Sequence, residues 1–237
     1  VPAWVPTFLA RSGAKWIKGI GSYPIHEGVR TIGRVYVPES EADGWIRQGA
    51  AGARLFFNRC LPTFQANPQV YIWEGPNEPA IWDGSVLAGF ADFNQALIRL
   101  MHDHGYRVMV GQVSVGWPFE PERDGGNQVK AIGRAIQGAD AWSLHEYSYP
   151  NLWDQLDDDG TGWLTLRYRK TLRWLRDAGF TDLPPLFITE CGIDQGHPNG
   201  PNYGHYGWQS FVTEDQYLEQ LLWYERELRK DGVVATI

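Results

Sequence analysis

Short apolar runs alternate along the chain with longer segments of helical spacing. The apolar runs predict seven strands, at Trp16, Ile32, Ile72, Val108, Trp142, Phe187 and Val234. Between them, apolar residues recur every three or four positions, which is typical of amphipathic helices. Regular alternation of strand and helix predicts an α/β fold with a parallel sheet and right-handed crossovers.

The helical pattern is strongest over residues 85–104, where one apolar stripe runs from Val86 to Met101 and Gly105 ends it. Thr213 and Gln216 have the spacing of a capping box and predict the start of the last helix. Weaker patterns predict a helix over 41–66 interrupted near Gly49, Gly52 and Pro62, a helix over 163–178, and strands over 31–37 and 141–144.

Length and composition narrow the class of protein. The 237 residues suit a single barrel domain, residues 1–237, since (β/α)8 barrels have about 250 residues. A formal charge of -7 argues against nucleic acid and anionic membranes as partners. No run approaches the roughly 20 apolar residues of a membrane span. The two cysteines, Cys60 and Cys191, provide no disulfide framework and are expected to be free thiols.

Carboxylates follow two of the apolar runs. Residues 71–79 read Tyr-Ile-Trp-Glu-Gly-Pro-Asn-Glu-Pro, so the strand breaks at Gly-Pro and Asn77 and Glu78 follow directly. Residues 186–192 read Leu-Phe-Ile-Thr-Glu-Cys-Gly and bring Glu190 to a similar position. A charge at the end of a buried strand is costly unless it is used. A pair of acids in one pocket is the chemistry of glycosidic-bond hydrolysis.

These two motifs, Asn-Glu-Pro and Thr-Glu-x-Gly, resemble those of the retaining glycoside hydrolases with TIM (β/α)8 barrels, called clan A. The resemblance implies that Glu78 follows the fourth strand as acid/base and that Glu190 lies on the seventh as nucleophile. His145-Glu146-Tyr147 is similar to the clan's His-x-Tyr, whose tyrosine contacts the nucleophile. Many members have Trp where this chain has Gly75-Pro76, which leaves the particular family open.

The resemblance also assigns strand positions. If Glu78 follows the fourth strand, the runs at Ile32 and Trp16 are the third and second strands. The first strand would then precede Val1, and the last helix would follow Ile237. We therefore expect a TIM barrel that lacks its first strand and last helix within this chain. The natural protein would be longer, or a neighbouring chain would complete the barrel.

The implied mechanism gives each motif residue a task. Glu190 must be ionised to attack the anomeric carbon, and Tyr147 is the expected hydrogen-bond donor to it. Glu78 must begin protonated, donate to the leaving oxygen and then act as base towards water. Asn77 would hydrogen-bond the sugar hydroxyl next to the anomeric centre.

Two other polar residues, Arg34 and His145, have two interpretations each. Arg34 could face the barrel lumen near the nucleophile or form a structural ion pair. His145 is either a sugar contact or a supporting histidine. Alternation directs Glu146 away from the pocket if its two neighbours face it. Glu74 precedes the Gly-Pro break and is therefore not expected to be the acid/base.

Aromatic residues after the strands are candidate sugar platforms, with loop packing as the alternative: Trp117, Tyr206 and Trp208. His102 and His104 do not share a helix face, so they predict no metal site. No phosphate-binding glycine loop or serine nucleophile motif is present, and no cofactor or metal is expected.

The sequence thus predicts a cofactor-free retaining O-glycosidase acting on a β-linked glycan, the β preference and retention being implied by the resemblance. Two alternatives stay open: a non-catalytic carbohydrate-binding barrel, and a transglycosylase that uses the same residues. The sugar, the linkage, endo or exo action and the oligomeric state are not predicted. A polysaccharide substrate would favour a secreted or extracellular location.

Overall fold

The computed structural model describes residues 5–195 and 207–232, together with the backbone of residues 234–235. Its strands are β1 (Trp16–Ile20), β2 (Arg30–Arg34), β3 (Ile72–Glu74), β4 (Val108–Val113), β5 (Ala141–Ser148), β6 (Leu186–Ile193) and β7 (Val234–Ala235). They form one parallel sheet in sequence order. The seven predicted strands and their parallel arrangement are confirmed. The sheet curls into a nearly closed barrel, a partial TIM barrel.

Helices connect successive strands. They are α1 (Val5–Ser12), α2 (Glu39–Ile46), α3 (Ala50–Ala66), α4 (Gly84–Asp103), α5 (Pro121–Asp124), α6 (Asn127–Ile136), α7 (Tyr168–Asp177) and α8 (Glu214–Asp231), with a 3₁₀ turn at Trp208–Ser210. The predicted capping box of Thr213 and Gln216 begins α8. In the described part of the chain, no helix is both long and apolar enough to cross a membrane.

Apolar residues pack on both faces of the sheet. The main core lies between strands and helices, and the α4 stripe predicted from sequence is buried there. A smaller cluster fills the lumen: Ile32, Ile72, Met109, Ala141 and Phe187, with Trp16 and Tyr71 against it. The lower lumen is therefore a packed core, as barrel lumens usually are. Among the described residues, the charged side chains Lys18, Arg34, Glu74 and Glu190 meet in the lumen beyond this packed layer.

Strand lengths differ from the sequence prediction in two places. β2 ends at Arg34 rather than at Val37, and the chain then leads to Pro38 at the N-cap of α2. β5 continues to Ser148 instead of ending at Leu144. The apolar pattern stops at Leu144, but the polar residues that follow are buried in the lumen or hydrogen-bonded behind the sheet. His145, Glu146 and Tyr147 therefore lie within the strand.

The predicted helix over 41–66 is two helices, separated by a turn in which Gly49 has a φ of 54°. The interruptions predicted at Gly52 and Pro62 are wrong, because both residues lie inside α3. A Cβ at Gly52 would lie 1.7 Å from the carbonyl oxygen of Trp45. This glycine therefore permits the close approach of α2 and α3.

The helix predicted from Trp163 begins only at Tyr168. Leu166 has a φ of 61°, a left-handed conformation that a helix cannot include. The Glu146 carboxylate accepts the Leu166 and Tyr168 N–H groups, both at 2.7 Å, and holds this turn. A carboxylate on the preceding strand thus delays the helix, which no local pattern reveals.

Candidate active site

The loop after β3 fixes Glu78. Gly75 and Pro76 end the strand, and the Ala80 N–H donates to Asp43 of α2 at 3.1 Å. Asp83 then caps α4 by accepting from the Ser85 N–H at 2.8 Å. Glu78 itself has a φ of 38°, unusual for a residue with a side chain. Strain of this kind is concentrated at functional sites.

A β-bulge directs Glu190 into the lumen. Leu144 of β5 pairs with Ile188 of β6, but the next pair is His145 with Glu190, so β6 has one extra residue. Strict alternation would place Glu190 on the same face as Ile188, which is buried in the outer core. The bulge reverses that orientation. Glu190 therefore shares a face with His145 and Tyr147.

Four side chains surround the Glu190 carboxylate. Its Oε1 accepts from Lys18 Nζ at 2.9 Å and Arg34 Nη1 at 2.6 Å. Its Oε2 accepts from the Tyr147 hydroxyl at 3.2 Å and lies 3.6 Å from His145 Nδ1. One oxygen is thus bound by two cations, while the other has a single hydroxyl donor.

This environment favours the ionised form of Glu190. Burial alone would raise its pKa, but electrostatic attraction to His145, Lys18 and Arg34 outweighs burial and lowers the pKa to about 2. Burial, together with the Glu190 charge, raises the pKa of Tyr147 well above its usual value. Tyr147 therefore remains a protonated donor to a carboxylate that is ionised at neutral pH.

Glu78 has a different environment from Glu190. Its Oε1 lies 2.7 Å from Nδ1 of His145, whose side chain is fully buried. Among the described residues no lysine or arginine forms an ion pair with Glu78. One ligand atom each of Glu78, His145 and Glu190 lies within 4.8 Å of the others. Two carboxylates therefore meet in one pocket, only one of which is paired with permanent cations.

Asn77 is held from both sides. Its Oδ1 accepts from Arg34, and its Nδ2 donates to Glu39 Oε1 at 3.2 Å. Beside it, a cavity of about 310 Å³ is lined by residues 34–39 and Asn77. Tyr36 in this wall is 73% exposed. The cavity adjoins the carboxylate pair through Arg34 and opens to solvent at Tyr36.

The predicted aromatic platforms lie in two places. Trp117 is half-buried, with its ring centroid 5.3 Å from that of Trp82, which is itself 52% exposed. Trp208 is stacked on Tyr217 at 5.0 Å and packs against the main core. Trp82 and Trp117 therefore form an aromatic surface after β3 and β4. Tyr206 lies outside the described residues.

The two rival carboxylates face elsewhere. Glu146 points behind the sheet, where it accepts from Leu166, Tyr168 and the Tyr224 hydroxyl at 2.6 Å. Burial raises its pKa to about 7 despite these hydrogen bonds. Glu74 is fully buried in the lumen, with Lys18 Nζ 2.9 Å from its Oε2. Neither carboxylate can reach a substrate.

Glu78, His145 and Glu190 also have the spacing of a metal site, a grouping the sequence did not suggest. Lys18 and Arg34 already occupy Oε1 of Glu190, so two positive charges would oppose a metal cation. His145 Nδ1 is engaged by Glu78 as well. The residues therefore suit acid–base and nucleophilic chemistry better than metal binding.

Sequence analysis missed two residues of this pocket, Lys18 and Glu39, and it also missed Trp82 of the aromatic surface. Lys18 is the one charged residue of β1, and this was the available signal, because a lysine inside an apolar strand requires a partner. Glu39 begins α2, where an acidic residue is ordinary and gives no signal. Trp82 follows the Asn-Glu-Pro loop and could have been considered with Trp117.

The fold is similar to those of several solved glycoside hydrolases with barrels of the clan A class. One is the GH128 endo-β-1,3-glucanase of Amycolatopsis mediterranei in complex with laminaritriose, which aligns over 100% of this chain and 84% of its own, with a TM-score of 0.57 and 14% identity. A β-glucosidase of Exiguobacterium marinum aligns over 89% of this chain and 66% of its own, with a TM-score of 0.50 and 15% identity.

A GH5 xyloglucan-specific endo-β-1,4-glucanase from a metagenomic library, in complex with cellotriose, aligns over 89% of this chain and 62% of its own, with a TM-score of 0.51 and 16% identity. The chain thus spans less than two thirds of the length of two of these three proteins. No protein-family model and no curated protein matches the sequence. At such identities the likeness establishes the fold.

Proposed function

We propose that the protein is a retaining O-glycoside hydrolase with Glu190 as nucleophile and Glu78 as acid/base. The observation that carries the proposal is the carboxylate pair, with oxygens within 4.8 Å, one paired with two cations and the other with a histidine. Retaining enzymes have carboxyl groups about 5–5.5 Å apart, and inverting enzymes about 6.5–9.5 Å. The close approach in this pocket favours retention.

In the first step, Glu190 Oε2 attacks the anomeric carbon, because Oε1 is held by Lys18 and Arg34. The bond from carbon to Oε2 forms while the glycosidic carbon–oxygen bond breaks. The Glu78 proton moves to the departing oxygen, which leaves Glu78 as a carboxylate. Tyr147 remains a donor beside the reacting carboxylate.

In the second step, Glu78 takes a proton from water, and the water oxygen attacks the anomeric carbon. The ester bond to Glu190 breaks and the carboxylate is regenerated. Two inversions leave the configuration unchanged. His145 contacts Glu78 at 2.7 Å and is the residue best placed to orient it in both protonation states.

Two surfaces would provide further substrate contacts. Asn77 and Arg34 border the cavity that Tyr36 lines, and a sugar hydroxyl next to the anomeric carbon would meet the Asn77 amide. Trp82 and Trp117, which follow β3 and β4, present ring surface for pyranose faces. The three structural neighbours described above act on β-linked glucose units, so β-glucans are the first substrates to test.

A transglycosylase would use the same residues and differ only in the acceptor of the second step. A non-catalytic sugar-binding barrel would not need a carboxylate whose pKa is lowered to about 2 beside a second carboxylate that lies against a histidine. The paired environments therefore support catalysis.

The test is reducing-sugar release from laminarin, xyloglucan, xylan, mannan and galactan by the wild type, Glu190→Gln and Glu78→Gln. We expect Glu190→Gln to lose at least about 10³-fold in kcat. Glu78→Gln should retain cleavage only of p-nitrophenyl β-glycosides, whose leaving group needs no acid. Equal binding of one glycan by all three proteins, without cleavage, would establish the binding barrel instead.

A further inference from the structure

Lys18 connects the nucleophile to a second carboxylate that the proposed chemistry does not use. Its Nζ lies 2.9 Å from Glu190 Oε1 and 2.9 Å from Glu74 Oε2. The Lys18 side chain is 10% exposed, Glu74 is fully buried and Glu190 is 23% exposed. One ammonium group is thus shared between a sealed carboxylate and a reactive one.

Glu74 depends on this contact. Among the described residues, neither of its oxygens accepts a well-aligned hydrogen bond, and Lys18 is its one ion-pair partner. The ion pair exists without an aligned hydrogen bond because Coulomb attraction at this distance does not require alignment. A buried carboxylate is strongly destabilising when its partner is removed. Burying Glu74 therefore costs free energy of folding, and packing of the fold alone does not explain why a carboxylate lies there.

The positions of the two residues follow from the strands. Lys18 lies on β1, in register with Ile32 of β2, and Glu74 lies on β3, two residues after Ile72. The two side chains meet in the lumen. A lysine has a flexible four-carbon stem, so a single partner at Glu190 would leave its head group free to move. A second, immobile carboxylate restricts it to one place.

We propose that Glu74 is a fixed counter-ion that holds Lys18 against Glu190, and that Lys18 is a positioning residue that keeps the nucleophile anionic. The inference rests on the proposed assignment of Glu190 as nucleophile. The charged and titratable groups that face Glu190 are Lys18 from β1, Arg34 from β2, Glu78 from the loop after β3, and His145 and Tyr147 from β5. Lys18 and Arg34 carry permanent charge.

The arrangement also serves the second chemical step. In the free protein, Lys18 and Arg34 balance Glu74 and Glu190. When Glu190 becomes an ester, it loses its charge and the group has one surplus positive charge. That surplus stabilises the Glu78 carboxylate nearby, which is the form that must accept a proton from water. Glu74 ensures that the surplus is one charge rather than two, so Lys18 and Arg34 repel each other less.

The experiment compares Lys18→Met, Glu74→Gln and the double variant Lys18→Met/Glu74→Gln. Lys18→Met leaves Glu74 unpaired and should lower the melting temperature by about 10 °C. The double variant removes both charges and should recover most of that loss. It separates the cost of a buried unpaired charge from the electrostatics of the site, because it has no charge at position 74 and no cation from Lys18 at Glu190.

The decisive readout is the pKa of Glu190, from carboxyl-carbon NMR of labelled glutamate with the signal assigned by Glu190→Gln. In the double variant we expect this pKa to rise by about one pH unit or more, and in Glu74→Gln to rise by less, because Lys18 keeps its charge but loses the carboxylate that fixes it. The acidic limb of the pH profile of kcat/KM, measured on the p-nitrophenyl β-glycoside that is cleaved fastest, should shift to higher pH by the same amount. An unchanged pKa of Glu190 in the double variant would show that Lys18 serves only the fold.

The NMR titration needs no turnover, so it remains decisive if no glycan is cleaved. Loss of the proposed function would appear as a wild type without activity, whatever the titration shows. Failure of the present inference would appear as an active wild type, an inactive Glu190→Gln and an unaltered titration in the double variant. Lys18→Arg is a conservative control and should keep the acidic limb near that of the wild type, because the positive charge is retained.

Discussion

At the scale of single residues, the amide of Asn77 has one defined orientation. Arginine only donates hydrogen bonds and a carboxylate only accepts them. Arg34 therefore requires the Asn77 oxygen, and Glu39 requires its nitrogen. One N–H of the amide is not used by these two contacts. Under the proposed function, this N–H would donate to a sugar hydroxyl.

This predicts a contrast between two variants at Glu39. Glu39→Ala should lower kcat/KM about tenfold, because the amide loses one of the two groups that orient it. Glu39→Gln keeps an acceptor and should stay within about threefold of the wild type. Both remove the acidic side chain from the first turn of α2, so melting temperatures control for helix stability. Equal kcat/KM for Glu39→Ala and the wild type would mean that Arg34 alone orients Asn77.

The sequence identified most residues that meet in the pocket, because Asn77, Glu78, His145, Tyr147 and Glu190 belong to recognisable motifs. It left Arg34 between two readings, and in the structure Arg34 contacts both Asn77 and Glu190. The sequence did not reveal that Lys18 contacts two carboxylates, because those carboxylates lie on other strands that meet only in the folded lumen. Nor could alternation orient Glu190, because the bulge in β6 is a tertiary feature.

At the scale of elements, α4 packs closely against α2 at Gly89. A Cβ there would lie 2.0 Å from the Ile46 carbonyl oxygen, whereas a Cβ at Gly84 of the same helix would meet nothing within 4 Å. α2 also provides Asp43, which anchors the loop that carries Glu78. The glycine contact therefore supports the position of the candidate acid/base.

Two glycine substitutions in α4 provide a matched pair. Gly89→Ala should destabilise the protein by about 3 kcal/mol, since backbone cannot move away as a flexible side chain can. Gly84→Ala should be neutral or stabilise by up to about 1 kcal/mol. Urea denaturation measures both free energies of unfolding. If Gly89→Ala matched Gly84→Ala, the α2–α4 contact would be looser than described.

Element type was predictable where periodicity is long, as in α4, and where a cap is local, as in α8. The predicted ends of elements were wrong where a residue distant in sequence determines them. β5 is longer than its apolar pattern because polar residues are buried by contacts from other elements. α7 starts late because Glu146 holds the turn before it.

At the scale of the whole molecule, the buried Glu146 and the partly buried Glu190 should give the stability opposite dependences on pH. The pKa of Glu146 is raised to about 7, chiefly by burial, so its contribution is fully present below the usual value of 4.5 and is lost as pH rises to about 7. Although burial opposes it, His145, Lys18 and Arg34 lower the pKa of Glu190 to about 2, so its contribution is present above 4.5 and is lost as pH falls towards 2.

We therefore predict that Glu146→Gln flattens the decline in stability between about pH 4.5 and 7, which corresponds to roughly 3 kcal/mol. Glu190→Gln should flatten the decline between about pH 4.5 and 2 and leave the upper window unchanged. Melting temperature against pH measures both slopes. The slopes are compared rather than absolute values, because a glutamine at 146 places an amide N–H group against backbone donors. Identical slopes in Glu146→Gln and the wild type would contradict the assignment.

The whole barrel was predictable because strand and helix alternate locally and parallel connections have one hand. Its nearly closed sheet brings β1 and β6, which are far apart in the strand order, to one lumen, where Lys18 meets Glu190. The proposed retaining mechanism depends on the close carboxylate pair in this pocket, and the pocket exists only once several strands have assembled.

The most direct test of that claim is proton NMR of the first product released from the β-glycan that is cleaved fastest. A retaining mechanism predicts that the β-anomer appears first and that the α-anomer follows only through mutarotation. Initial release of the α-anomer would contradict the account. It would require a water molecule between carboxylates about 6.5–9.5 Å apart, in place of the attack by Glu190.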